Sequence, residues 1–156
     1  MYSNELICNI LNFIEININK KISIEEISLK FFYNRYYVMK LFKKELNISL
    51  ISYVNNLRIY NSIKCIQTSN DSFTKIALLN GFYSLEYFSE IFSLIMGVSP
   101  RVFRTYINNR LLVSDDELNT ISTNWIKLQT LINKINKYQK NKKPLVAPVL
   151  KYSIFK

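Results

Sequence analysis

RYYVMKLFKKELNIS, Arg35 to Ser49, and LEYFSEIFSLIMGVS, Leu85 to Ser99, repeat one skeleton fifty positions apart. Superimposed, they place Tyr37 on Tyr87, Phe42 on Phe92, Asn47 on Gly97, Ile48 on Val98 and Ser49 on Ser99. In the first copy Val38, Leu41 and Phe42 share one helical face, with Tyr36, Met39, Lys40 and Lys43 opposite. In the second, Phe88, Ile91 and Phe92 point inward and Glu86, Ser89, Glu90 and Ser93 outward. The preceding segments align as well, Ser23 with Ser72 and Ile27 with Ile76, with one extra residue in the second turn. Each copy therefore reads as a short helix, a tight turn and a second helix, the pattern of a helix-turn-helix. One such match is a weak signal, because many helical hairpins bind nothing. Two in register are a much stronger one.

The rest of the chain agrees with an all-α class. Of 156 residues 49% are apolar, enough for one domain-sized core, and only 2 Gly and 3 Pro supply little turn chemistry for a many-stranded sheet. Twenty-one Lys and Arg against eleven Asp and Glu give a net charge of +10, a balance suited to meeting phosphates. The N-terminal MYSNELICNILNFIEININKK has no basic leader, and Asn and Glu interrupt its apolar residues. It is neither a signal peptide nor a membrane span, so a cytoplasmic protein with no membrane partner is expected. With no His, Cys8 and Cys65 cannot build the usual zinc sites, and both read as small buried hydrophobes. No metal and no cofactor are expected.

Along the chain, Ile7, Ile10, Leu11 and Ile14 mark a first helix from about Asn4 to Asn17. Ser23 with Glu26 forms a capping box for a short helix, and Asn34 caps the next. Leu50 to about Gln67 lacks Gly and Pro and predicts a long, rigid connecting helix. Ser72 opens another short helix, Gly81 supplies a turn needing positive φ, Ser84 caps the second outward-facing helix, and Pro100 ends the pattern.

These residues carry a family resemblance. ISIEEIS, the helix ending LFKKE, the linker YVNNLRI, the stretch IALLNGFYSLEYFSEIF and the closing GVSPRVFR make Ile22 to Arg104 resemble the DNA-binding domain of AraC/XylS transcription regulators. The resemblance implies a domain over about 1–108, with a first helix-turn-helix at 22–49, a linker helix at 50–67 and a second helix-turn-helix at 72–99. It implies two recognition helices in successive major grooves of double-stranded DNA, about 34 Å apart on straight B-DNA. An activator of this kind would also meet RNA polymerase. Carried over by alignment, the base-contacting positions are Tyr36, Met39 and Lys40 in the first copy and Leu85, Glu86 and Glu90 in the second. Ser89 shares the outer face of the second.

The residues themselves support the first group. Arg35, Lys40, Lys43 and Lys44 make this helix strongly positive, Lys40 can reach guanine O6 and N7, and Tyr36 and Met39 offer apolar contact to a thymine methyl. The second copy departs from that pattern, with Leu85, Glu86, Glu90 and Ser93 in place of Arg35, Tyr36, Lys40 and Lys43. Glu accepts from cytosine N4, while nearby phosphates oppose it. Three explanations stand: a cytosine reader, a mainly positioning motif, or a face turned to a protein partner. Glu86 in the first helical turn is also explained by the helix dipole alone. Phe32 replaces a glycine usual in the first turn, whose geometry is left open, and Asn47 replaces another where Asn tolerates the left-handed region. Arg58 reads equally as a phosphate contact or a structural ion pair.

A C-terminal extension, 109–156, lies outside the resemblance. Ser114 and Glu117 form a capping box for a helix whose Leu118, Ile121, Trp125, Leu128, Ile132 and Ile135 make a heptad-like stripe. The stripe fits a homodimer through the 115–138 helix or packing on its own chain, and Ile126 and Leu131 widen it toward the latter. From Lys127 to Lys156 there are eight Lys and no acidic residue, and the end, PLVAPVLKYSIF, is apolar enough to need a partner surface or a further domain.

The expected function is therefore a sequence-specific DNA-binding transcription regulator, reading two adjacent major-groove segments chiefly through the first recognition helix. The alternative is a protein-interaction module acting through the acidic second helix and the heptad helix. An enzyme is not expected, because no phosphate-cradling glycine loop or paired nucleophile and base is visible.

Overall fold

Seven polar side chains start seven of the helices in the computed structural model, which describes residues 2–142. After α1 (Tyr2–Asn17) come α2 (Ile24–Phe31), α3 (Arg35–Leu46), α4 (Leu50–Thr68), α5 (Phe73–Leu79), α6 (Leu85–Met96), α7 (Pro100–Asn108), a 3-10 turn (Arg110–Leu112) and α8 (Asp115–Lys142). Ser23, Asn34, Ser49, Ser72, Ser84, Ser99 and Ser114 each accept a backbone N–H from the first turn they open, at 2.8–3.2 Å. Each cap is worth about 1 kcal/mol, because it satisfies a donor the helix leaves open. The box at Ser114 is complete, since Glu117 Oε2 accepts from the Ser114 N–H at 2.9 Å. At Ser23 only the serine half forms among the described residues.

The two copies superimpose in their turns as well. After α2, the N–H groups of Phe32 and Tyr33 donate to Leu29 and Ser28; after α5, those of Gly81 and Phe82 donate to Leu78 and Ala77 in the same pattern. Both turns need one residue in the left-handed region, and Phe32 (φ 58°) and Gly81 (φ 82°) supply it. The second pair of such residues is Asn47 (φ 56°) and Gly97 (φ 74°), each ending an outward-facing helix by donating back to residue 43 or 93. A side chain in this region costs about 1–2 kcal/mol, less for Asn and nothing for Gly. The first turn is thus closed at a cost that the second avoids.

The helix α4 is the axis of the molecule. Buried residues such as Tyr53, Val54, Leu57, Ile59, Ile63 and Ile66 occupy most of its circumference, because α3, α5, α6, α7 and α8 all pack on it. One continuous core joins Ile7, Ile10 and Ile14 of α1 to Phe42, Tyr53, Phe88 and Phe92, and then to Ile121, Leu128, Ile132 and Ile135 of α8. The apolar stripe of α8 therefore lies on its own chain, against α1, α4 and α6. Trp125, on the stripe, stacks on Tyr60 with centroids 5.6 Å apart. The terminal PLVAPVLKYSIF lies outside the described residues.

Two expectations are corrected. Among the described residues Arg58 is neither exposed to phosphate nor ion-paired: at 8% exposure its guanidinium donates to the carbonyls of Ile18 (3.0 Å) and Lys20 (2.7 Å) beyond the end of α1. It ties that loop to the central helix, and burial lowers its pKa below the ordinary guanidinium value. Removing it leaves two carbonyls in a poorly hydrated site, so Arg58→Met is expected to destabilise the fold by about 2 kcal/mol, measured by urea unfolding. Cys65 is the second correction. It is only half-buried, and its sulfur accepts a long bond of 3.6 Å from Asn80; Cys8 is buried as expected.

Candidate nucleic-acid interface

The outer face of α3 stands clear of the core that Val38, Leu41, Phe42 and Leu46 anchor from below. Tyr36 is 71% and Met39 52% exposed, and Arg35, Lys40, Lys43 and Lys44 are all exposed. Their charges are not equally available. Arg35 pairs with Glu25 of α2 at 3.7 Å, and the Lys43 ammonium donates to the Asn47 carbonyl at 3.3 Å, closing the C-terminus of α3. Lys40 and Lys44 have no ion-pair or hydrogen-bond partner among the described residues. A surface pair such as Arg35–Glu25 is worth little and opens readily to an incoming phosphate.

The matching face of α6 holds Glu86 and Glu90, both exposed and without an ion-pair partner among the described residues. Ser89 is half-buried, and Leu85 is half-buried with its side chain against the core. Of the second group, then, the two carboxylates are the side chains most available to a ligand. The sequence reading of one positive and one negative outer face persists in three dimensions.

The contacts that hold these faces, and the residues Tyr33, Tyr83 and Asn55 that make them, were not singled out from the sequence. Tyr33 stacks on Tyr37 (5.4 Å) and Tyr83 on Tyr87 (4.9 Å), the same i, i+4 pair at the start of each outward-facing helix. The fifty-residue repeat of these tyrosines was the available signal. Asn55, buried on α4, donates to the Tyr87 hydroxyl at 3.1 Å, and Tyr53 packs on Phe42 at 5.9 Å. A single stiff helix thereby touches both α3 and α6. At 1.5 Å per residue its 19 residues span about 28 Å.

The helix α8 grips both from the other end. Asn124 donates to the Met96 carbonyl at the C-terminus of α6 (3.1 Å), and Gly97 lies so close that an added methyl would meet Thr120. Fourteen residues on, the Tyr138 hydroxyl donates to Asn4 (2.9 Å) or to Glu45 near the end of α3 (3.2 Å). Burial first, and then the Glu45 carboxylate, push the Tyr138 hydroxyl up to about 12, so it stays a donor at any working pH.

Comparison with known proteins accords with this architecture. Residues 27–106 match a family described as "Helix-turn-helix domain". The HTH-type transcriptional activator AarP of Providencia stuartii is 30% identical over 115 residues, covering 72% of this chain and 85% of AarP. A second relative, the putative HTH-type transcriptional regulator YkgA of Escherichia coli, is 31% identical over 104 residues, 67% of this chain but 44% of its own length. A transcriptional regulator of Chromobacterium violaceum, titled AraC-type, superimposes with a TM-score of 0.57 at 25% identity over 64% of this chain and 88% of its own. The DNA-binding domain of AdpA, solved with a target DNA, shares the fold alone: TM-score 0.62, 17% identity, 69% of this chain and 97% of that one. With two helix-turn-helix units on one linking helix and a family match across both, this chain belongs to the AraC family of DNA-binding transcription regulators.

Proposed function

We propose that the chain reads two neighbouring major-groove segments of one duplex, chiefly through α3, and acts in the cytoplasm as a transcription regulator. The observation that carries this reading is the contrast between the faces: Tyr36, Met39 and Lys40, the last without an ion-pair partner among the described residues, on α3 against Glu86 and Glu90 on α6. Lys40 donates to guanine O6 and N7, while Tyr36 and Met39 cover a thymine methyl. Arg35, Lys43 and Lys44 meet phosphates and set the register. The second helix adds cytosine contacts through Glu90 and Glu86, or only positions the protein. Fixed between α4 and α8, the two helices keep one spacing, which fits a bipartite site better than independent half-sites.

The test is selection of bound duplexes from a random pool with the purified chain. A preferred sequence covering two adjacent major grooves is the expected result. One confined to a single groove would remove α6 from base reading, and no preferred sequence would overturn the proposal. The interaction-module alternative loses its second surface, because the stripe of α8 is occupied by α1, α4 and α6.

A further inference from the structure

The two turns pose the same backbone problem and answer it with different residues. Gly81 is required twice over, by its positive φ and by crowding, since a Cβ there would lie 2.4 Å from the Ile18 carbonyl oxygen. At the equivalent position in the first copy Phe32 adopts the same left-handed conformation and is 94% exposed. Among the described residues the ring gains almost no burial to offset a conformation that favours glycine. Backbone strain retained without an internal reason points to function.

Its surroundings indicate which function. Phe32 lies two residues before Asn34, the cap of α3, with Leu29 (77% exposed) three residues behind and Tyr36 (71%) four ahead. These exposed apolar side chains lie just before and at the start of α3, whose exposed residues include Arg35, Lys40 and Lys43. Exposed apolar side chains so near such cations in the chain suit a polyanion that also presents sugar rings and methyl groups. We propose that Phe32 is a DNA-contacting residue, its ring packing on deoxyribose and thymine-methyl surface at the edge of the groove that α3 enters. The inference rests on the reading of α3 given above.

The experiment uses Phe32→Gly and Phe32→Asn in the full 156-residue chain. Glycine removes ring and strain together, whereas asparagine removes the ring but still favours the left-handed region. The probe is the duplex recovered by selection, titrated by fluorescence anisotropy at two salt concentrations. Both variants are expected to bind roughly tenfold more weakly, as for partial exposure of a phenyl group. Their salt slope should match that of the unaltered chain, since no phosphate contact is lost. Meanwhile Phe32→Gly should raise Tm by about 3 °C. Unchanged affinity in both variants, or a lower Tm in Phe32→Gly, would overturn the inference, the latter by showing that the ring serves the fold. If the unaltered chain selects no sequence, the reading of α3 itself has failed, a result distinct from these.

Discussion

Gly81→Ala is expected to cost about 3 kcal/mol of stability, seen as a drop in Tm of roughly 10 °C with Trp125 fluorescence as the probe. Three effects converge at this position. The φ of +82° is one that alanine adopts at a cost of about 1 kcal/mol. The new methyl would sit 2.4 Å from the Ile18 carbonyl oxygen, a backbone atom that moves only if the loop after α1 moves. It would also sit 2.9 Å from Arg58 Nε, the donor that holds that same carbonyl at 3.0 Å. Either shift breaks a hydrogen bond in a site with little water, adding about 1–3 kcal/mol. Gly97→Ala makes an informative comparison. Its methyl would meet the side chains of Thr120 and Asn124 rather than backbone, so at most the Asn124–Met96 bond is lost and its cost should be smaller. Equal Tm values for Gly81→Ala and the unaltered chain would mean that the loop after α1 yields freely, contrary to the part assigned to Arg58.

Lys40→Ala is expected to weaken binding to the selected duplex roughly ten- to a hundredfold, the worth of one good base contact. Glu90→Ala should weaken it far less, because phosphates of like charge oppose whatever the carboxylate gains by accepting from a cytosine amino group. Both side chains are exposed, so neither change should move Tm, and unfolding does not obscure the comparison. The two titrations belong at one salt concentration, since phosphate contacts make every such affinity salt-dependent. Equal losses would show that α6 reads bases as fully as α3, and the account of the charge asymmetry would then be wrong.

How far each feature could be read in advance depends on how local its cause is. Capping by Ser23, Asn34, Ser72, Ser84 and Ser114 is settled within one helical turn, and each cap forms, although at Ser23 the reciprocal Glu26 half of the expected box is missing among the described residues. Inward and outward faces of α3 and α6 follow from spacing alone. By contrast, Arg58 sits in a sequence compatible with phosphate binding, and its real acceptors lie 38 and 40 residues away. Phe32 shows a different limit: the sequence places it where a glycine is usual, but only the backbone and its repeated hydrogen-bond pattern show that the turn keeps the left-handed φ without one.

The sequence by itself determined the helices other than α7, which starts at the Pro100 read as an end, together with the doubled motif and the opposite charges of its two outer faces, since these depend on neighbours within a few residues and on composition. Tertiary structure decided what each face meets. A heptad-like stripe is equally apolar whether it pairs with a second chain or lies on its own, and burial against α1, α4 and α6 resolved that choice for α8. The same packing turned Arg58 into a tie for the loop after α1, set Asn124 and Tyr138 at the ends of the two recognition helices, and left Phe32 outside the core. Such outcomes depend on which surfaces distant segments bring together, and local pattern carries no record of that.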